Sequence, residues 1–593
     1  MLEREPASHE PAWSRILPGL AQLLAYRREW LFHDVLAGIV LAAILVPAGM
    51  AYAELAGLPP IIGLYASVVP MIAYAVFGPS RILAIGPDSA TAPLVAAAII
   101  PLAVADTGHR IALAGMLALL VGAAGLLVGL ARLGFVTELI SRPVRVGYMN
   151  GLALIILVSQ LPKLFGFKVG AEGAVPQVME FASRVGGFNA VALALGVGAL
   201  VIITVLRFVS PNIPGILVAA VPAALVTAWL GLAARYGVPV VGMLPAGLPS
   251  PAWPAVSPGE VATLVPAAAA IAVMTLTDTT VLSRIFAAKA GYTVDSNEEI
   301  VAIGVANMVS GLFQGMPTSG SQSRSAVSIA AGAKSQLTGF VGAVVLALVL
   351  VFAPWLFSSL PTSVLAAIVI VAALSLTDFP GVIKLWRYRK TEFALSLGTF
   401  VGVILLGVLP GVLVAVALSL LNFIRRLWRP HDAVLGRAPG VKGYHDVGDL
   451  TDARQIPGLL LYRYDAPLFF ANGEGFRRRV LDLVACADPP VSWVVLAAEP
   501  ITDVDTTAED SLKQLIAELS EQGVVFAFAE LKHLVREHLE DYGVIDLVGQ
   551  DRLYPTIGSA VHAYVAATAV EWVDWEDRAI REDPEEHEET PEG

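Results

Sequence analysis

The sequence predicts a polytopic α-helical membrane protein with a small C-terminal cytoplasmic α/β domain. Three observations carry this prediction. The 593 residues are 56% apolar and only 15% charged, against roughly 25% charged in soluble domains. Apolar runs follow one another from about residue 34 to 425, separated by short Gly, Pro or basic breaks. Beyond Arg425 the charge density rises and apolar runs shrink to five or six residues. A mean hydropathy of +0.72 over this length excludes a disordered chain and an ordinary soluble enzyme.

The elements follow in chain order. Residues 1–33 are expected to form a cytoplasmic N-terminal segment, with an interfacial helix in WSRILPGLAQLLAYRREW (13–30), where Trp, Leu and Arg mix. This polar, acidic start does not read as a cleaved signal peptide. Residues 34–425 form the transmembrane domain, with about fourteen crossings. Lys and Arg favour the cytoplasmic side of membrane proteins. With both termini cytoplasmic, the inner connections hold twelve Lys or Arg and the outer ones five. That asymmetry supports an even number of crossings. Residues 426–455 read as a linker. Residues 456–567 read as an α/β domain: LLLYRY (459–464), VSWVVLAA (491–498) and VVFAFA (524–529) are strand-like. EDSLKQLIAELSEQG (509–523) between them is helical, implying a mostly parallel sheet. Residues 568–593 are expected to be a disordered acidic tail; its last 23 residues hold eleven acids and two bases. The net charge of −12 therefore belongs mainly to the tail.

Two stretches at membrane depth fit a smooth helix badly: AIGPDSATAP (84–93) and GMPTSGSQSRSAV (315–327). Irregular backbone is tolerated there only where protein or a water-filled cavity satisfies it. A pair of interrupted segments in corresponding halves points to a transporter site built from half-helices. A half-helix starting inside the membrane turns free N–H groups and the positive end of its dipole inward. Asp88 and Ser89 are expected at one helix start, with Pro87 at its first position. Ser321, Gln322 and Ser323 are expected at the other. Their hydroxyls can donate to an oxyanion. Arg324 is the one base that the reading leaves inside the membrane core, and an intramembrane charge is by default a functional candidate. Asp278 sits mid-helix in AIAVMTLTDTTVLSRIF (270–286), with Thr275, Thr277, Thr279 and Thr280 around it. Such an acid can take up a proton, or hold Na⁺ together with hydroxyls and carbonyls.

The segments VPAGMAYAELAGLPPIIGLYASVVP (46–70), FGPSRILAIGPDSA (77–90) and AAKAGYTVDSNEEIVAIGVANMVSGLFQGMPTSGSQSRSAVS (287–328) resemble the sulfate-permease (SulP) family of anion transporters. YRYDAPLFFANGEGF (462–476) and ITDVDTTAEDSLKQL (501–515) are similar to that family's STAS domain. The resemblance runs from about residue 12 to 567. It implies two inverted seven-segment repeats, a core domain rocking against a gate domain, a homodimer, and a substrate at the midplane. It also implies an Arg at 324 near the anion and an acid at 278. Two departures stand out. Ala48 occupies a place where the family usually has a polar residue, often Gln, leaving Tyr52 to line the cavity. Asp88 replaces an apolar residue found in other members, so it is protonated, turned away from the anion or part of a cation site. The related regulators are phosphorylated at a hydroxyl before a helix. That makes Thr507 the regulatory candidate, although Asp505, Thr506 and Thr507 also read as an ordinary helix cap.

The expected function is secondary active transport of a small anion across the cytoplasmic membrane, coupled to H⁺ or Na⁺ or by exchange. Sulfate, bicarbonate and a dicarboxylate are all compatible. A channel of the same fold, or a membrane sensor signalling through the STAS domain, is the alternative; Asp278 weighs against a channel. No enzyme chemistry, cofactor, metal centre or nucleic-acid surface is expected. The single cysteine, Cys486, excludes an intramolecular disulfide. Ala331–Ser335 faintly resembles a phosphate loop but lacks the Gly-Lys pair. His533 and His538, five residues apart, do not share a helix face. The GxxxG-type pairs read as helix packing.

Overall fold

The computed structural model describes residues 17–103, 106–134, 141–171, 173–210, 213–428, 430–568 and 570–572. It separates into two compact units, divided between Leu420 and Leu421. The expected acidic tail lies outside the described residues from 573 onward, as does 1–16.

The membrane unit opens with α1 (Pro18–Leu24), shorter than the interfacial helix expected. A first set of segments follows: α2 (Leu31–Leu55), α3 (Pro60–Phe77), a two-residue strand β1 (Ile85–Gly86) leading into α4 (Ala92–Ile99), α5 (Thr107–Leu130), α6 (Arg142–Leu164), a short α7 (Ala174–Arg184), α8 (Ala190–Val209) and α9 (Gly215–Trp229). After α10 (Leu232–Tyr236) the order recurs in inverted sense. It runs α11 (Pro258–Ala290), α12 (Ser296–Leu312), strand β2 (Ser319–Gly320) leading into α13 (Gln322–Ala330), α14 (Leu337–Phe352), α15 (Thr362–Leu376), a short α16 (Phe379–Tyr388), α17 (Lys390–Leu406) and α18 (Val408–Trp428).

Packing sorts these segments into a core and a gate. In the core α5 lies on α12, α2 on α14, and α3 on both α12 and α14. In the gate α6 lies on α15 and α17, and α8 on α15. Glycine makes close crossings in the core possible. A Cβ at Gly311 would sit 2.4 Å from the Gly115 carbonyl oxygen, and one at Gly122 would sit 2.7 Å from that of Gly304. These small-residue seams are helix packing.

One carboxylate staples α2 to α14. Asp34 is fully buried and accepts from Lys334 N (2.7 Å), Ser335 N (3.1 Å), Ser335 Oγ (2.7 Å), Thr338 Oγ1 (2.9 Å) and Tyr26 Oη (3.0 Å). The phosphate-loop-like stretch 331–335 thus cradles an internal anion of the protein itself.

The C-terminal unit has a six-stranded sheet. Its strands are β3 (Asp432–Gly436), β4 (His445–Asp446), β5 (Leu459–Tyr464), β6 (Trp493–Ala497), β7 (Val525–Ala529) and β8 (Leu553–Tyr554), in the order β4-β3-β5-β6-β7-β8. The strands β5 to β8 pair in parallel, whereas β3 is antiparallel to both its neighbours. Two boundaries differ from expectation. α18 continues to Trp428, and the expected linker 426–455 supplies β3 and β4. Charged and turn residues in DAVLG and its surroundings hide a strand that is only half buried. α19 (Gly473–Ala485), α20 (Thr506–Glu521), α21 (His533–Asp541), α22 (Val544–Val548) and α23 (Ile557–Thr568) complete the unit.

Candidate functional site

The two interrupted segments meet. β1 and β2 pair antiparallel, Ile85 opposite Gly320 and Gly86 opposite Ser319. Ser321 N donates to the Ala84 carbonyl (3.0 Å), and Ala84 N donates to Ser325 Oγ (2.9 Å). The remaining irregular backbone is satisfied by side chains. Thr318 N donates to Asn307 Oδ1 (2.8 Å) while Asn307 Nδ2 donates to the Thr318 carbonyl (3.0 Å). Gly320 N donates to Thr279 Oγ1 (3.0 Å). This is how non-helical chain survives at membrane depth.

The second half-helix starts as expected, with Ser321 as N-cap and Gln322 first in α13. Ser321 Oγ and Ser323 Oγ lie 3.3 Å apart, and Gln322 and Ser323 are exposed. The first half-helix corrects the expectation. Helix α4 begins at Ala92, with Thr91 as N-cap and Pro93 in the first turn. Pro87, Asp88 and Ser89 instead form the connection between β1 and α4. Asp88 Oδ2 accepts from Ala90 N (3.0 Å) and the Asp88 carbonyl accepts from Ala92 N (3.1 Å). The Asx-type turn replaces helix where proline-first reasoning extended it.

Arg324 on α13 reaches back across the strand pair. Its Nη1 donates to the Pro87 carbonyl, while Nε and Nη2 are buried without a hydrogen-bond partner. The guanidinium is held by one donor and leaves the two donors of one edge free. That edge matches two oxygens of a carboxylate or oxyanion. Gly86 lies beside this edge with φ +150°, a backbone angle that favours glycine. Tyr52 on α2, Asp88 and Ser89 gather within electrostatic or hydrogen-bonding reach of one another, and Tyr52 and Asp88 also feel Arg324. No ion pair joins Asp88 to Arg324 among the described residues.

Asp278 lies on α11, half-buried, in electrostatic reach of Asp88 and of Arg145 and Tyr148 from α6. No threonine hydroxyl among the described residues bonds to it. Thr279 Oγ1 serves Gly320 N, and Thr280 Oγ1 donates to the Leu276 carbonyl (2.7 Å). The hydroxyls of Thr275 and Thr277 are buried and unpartnered. Ser141 is the N-cap of α6 and Pro143 sits in its first turn, so Arg145 lies one turn inside that helix. Proline at a helix start was the available signal.

Sequence reasoning missed Glu299. It is fully buried, accepting from Tyr74 Oη and from Ser283 Oγ (2.8 Å). In SNEEIV it reads as one of two first-turn acids, and nothing in the string says which one turns inward. No group of three or more potential metal ligands occurs among the described residues. In the C-terminal unit Asp505 is the N-cap of α20, accepting from Ala508 N (2.8 Å), and Thr507 is exposed in the first turn.

The sulfate permease family profile matches residues 31–399, and the STAS domain profile matches 451–560. The chain belongs to the sulfate permease family. A probable sulfate transporter of Mycobacterium tuberculosis is 43% identical over 559 residues, covering 94% of this chain and 99% of the relative. The chloroplastic sulfate transporter 4.1 of Arabidopsis thaliana is 33% identical over 577 residues, covering 94% and 84%. The murine anion transporter Slc26a9, solved in an inward-facing state, superimposes with a TM-score of 0.86 at 24% identity, covering 95% of this chain and 97% of that one. The transmembrane domain of the cyanobacterial bicarbonate transporter BicA gives 0.58 at 24% identity, covering 66% and 98%. This SulP protein is therefore a multi-pass membrane anion transporter with a C-terminal STAS domain.

Proposed function

We propose that this SulP protein is a secondary active transporter of a small oxyanion, with sulfate the first candidate because its relatives are named for it. The observation that carries the reading is the buried edge of Arg324, two N–H donors without a partner. Buried polar groups are almost always satisfied, so an orphan pair at a helix start asks for a ligand. The anion takes Arg324 Nε and Nη2. Ser321, Gln322, Ser323 and the amides of α13 contact it on one side, Ser89 and Tyr52 on the other. Asp88 turns one carboxylate oxygen into its own loop and so away from the anion.

Asp278 is the coupling residue. A proton or Na⁺ neutralises it, and the loaded core then moves against the gate without carrying an uncompensated charge. Proton binding is the simpler reading, because no threonine hydroxyl bonds to Asp278. The protein acts as a homodimer in the cytoplasmic membrane with both termini inside, and Thr507 is the exposed hydroxyl at which the STAS domain is modified. The test is uptake of labelled sulfate, bicarbonate and fumarate into proteoliposomes under imposed H⁺ or Na⁺ gradients. Proton-driven sulfate accumulation is expected. Uptake that never exceeds equilibrium, whatever gradient is imposed, rejects secondary active transport and favours a channel.

A further inference from the structure

The short helix α16, between two gate segments, has an address of its own. Asp378 caps it, accepting from Gly381 N (2.8 Å), and Asp378 N donates to Asn150 Oδ1 on α6 (3.3 Å). At 3.6 residues per turn, Gly381, Val382 and Leu385 face the protein. Phe379, Ile383 and Trp386 form a stripe at i, i+4 and i+7, each about two-thirds exposed. Lys384 and Arg387 lie on the flank beyond this stripe, and Arg389 and Lys390 follow. None of these four cations has an ion-pair partner among the described residues; Arg387 only leans on the Tyr388 ring at 5.8 Å.

Beside the stripe is a cavity of about 340 Å³ between α6, α16 and α17, within the range of ligand pockets. Leu154, Leu157, Phe379, Phe393 and Phe400 line it, and Trp386 packs edge-on against Phe393 at 4.9 Å. An apolar stripe flanked by unneutralised cations is the pattern of a helix lying in the membrane interface. Here the stripe also borders a slot within the gate; Lys384 and Arg387 stand on the same helix, and Lys390 opens α17 just beyond it.

We propose that this corner is a binding site for one anionic phospholipid, its acyl chain in the cavity and its phosphate on Lys384, Arg387 and Lys390. The combination distinguishes it from general lipid contact. A zwitterionic lipid fills the apolar slot equally well but does not neutralise the cations. Each cation near an anionic membrane surface is worth about a fivefold change in binding, so three give a preference of roughly a hundredfold.

The test uses the full chain in vesicles of phosphatidylcholine doped with bromine-labelled phosphatidylglycerol or bromine-labelled phosphatidylcholine. Bromine quenches nearby tryptophan, and subtraction of the Trp386→Phe protein isolates the Trp386 signal. Half-maximal quenching is expected at a far lower mole fraction of phosphatidylglycerol. In Lys384→Gln/Arg387→Gln/Lys390→Gln the two lipids should become equal within about twofold. If the triple variant does not fold, Arg387→Gln alone serves, with an expected loss of about fivefold. Equal quenching by the two lipids in the wild type overturns the proposal. So does an anionic preference that survives the charge substitutions in a folded protein.

Discussion

Removing the guanidinium of Arg324 is the sharpest perturbation the site allows. One donor, Nη1, is committed to the Pro87 carbonyl, and two, Nε and Nη2, have no protein partner. Each hydrogen bond from a charged donor is worth about 1.5–3 kcal/mol. Arg324→Ala removes both from the bound anion, at least ~3 kcal/mol, which weakens binding by about a hundredfold or more. Arg324→Lys keeps the charge, but one ammonium does not hold the Pro87 carbonyl and also present a two-donor edge. A loss of about tenfold is expected. Ser323→Ala removes a neutral donor worth ~1 kcal/mol, about fivefold. Equilibrium binding of labelled sulfate to purified protein reads all three, with thermal unfolding as the control for folding. If Arg324→Ala binds sulfate within twofold of wild type and unfolds at the same temperature, the anion does not sit on this edge.

Three further outcomes follow from the same geometry. Asp278→Asn fixes the neutral state without changing shape. It should abolish gradient-driven accumulation while sparing sulfate binding, and accumulation with wild-type pH and Na⁺ dependence would show that the coupling lies elsewhere. Asp34→Ala strands five donors in a buried corner and should destabilise the membrane unit by at least ~3 kcal/mol, seen as a marked fall in unfolding temperature; an unchanged unfolding temperature refutes the staple. In the C-terminal unit, hydrogen bonds from Arg477 and then Arg478 pull the Glu474 carboxyl down to about 2. Its contribution is full above the unfolded value near ~4.3 and is lost as pH falls through the folded one. Solvent screening of this 45%-exposed side chain holds the contribution under ~1 kcal/mol. Glu474→Gln should therefore speed hydrogen exchange in α19 slightly at pH 7 and not at pH 2.

Much of this architecture was written in local chemistry. Runs of apolar residues marked the segments, and Gly-Pro with clustered hydroxyls at 84–93 and 315–327 marked the breaks, because nothing else puts such residues in a bilayer. Ser321 as a cap and Arg324 as a buried base followed from the same rule. What stayed hidden depends on distant partners. The Asp88 turn, with Ala90 N bound to its side chain, delays α4 to Ala92 although Pro87 is a competent helix starter. β3 was missed because it is an edge-side strand whose pairing with β5 lies some 25 residues away in sequence. Asp34 and Glu299 look like surface acids until α14 and α3 arrive to bury them. That Arg145 falls inside α6 depends on where the helix begins, and helix ends are read from sequence to within a turn at best.

The strand pair that joins the two interrupted segments has a mechanical consequence. Because Ala84 to Gly86 are hydrogen-bonded to Ser319 to Ser321, both halves of the cradle are stitched into one stiff part. In the proposed alternating-access cycle such a part would travel whole. The chamber would open to one side of the bilayer or the other by exchanging its outer wall, while the spacing between its two floors stays constant. The grip on the cargo is then the same at loading and at unloading, so direction comes from the concentrations on either side and from whatever charge travels along. A device of this kind runs backwards as readily as forwards. Loosening the stitch, rather than the wall, is what would make its hold differ between the two faces of the membrane.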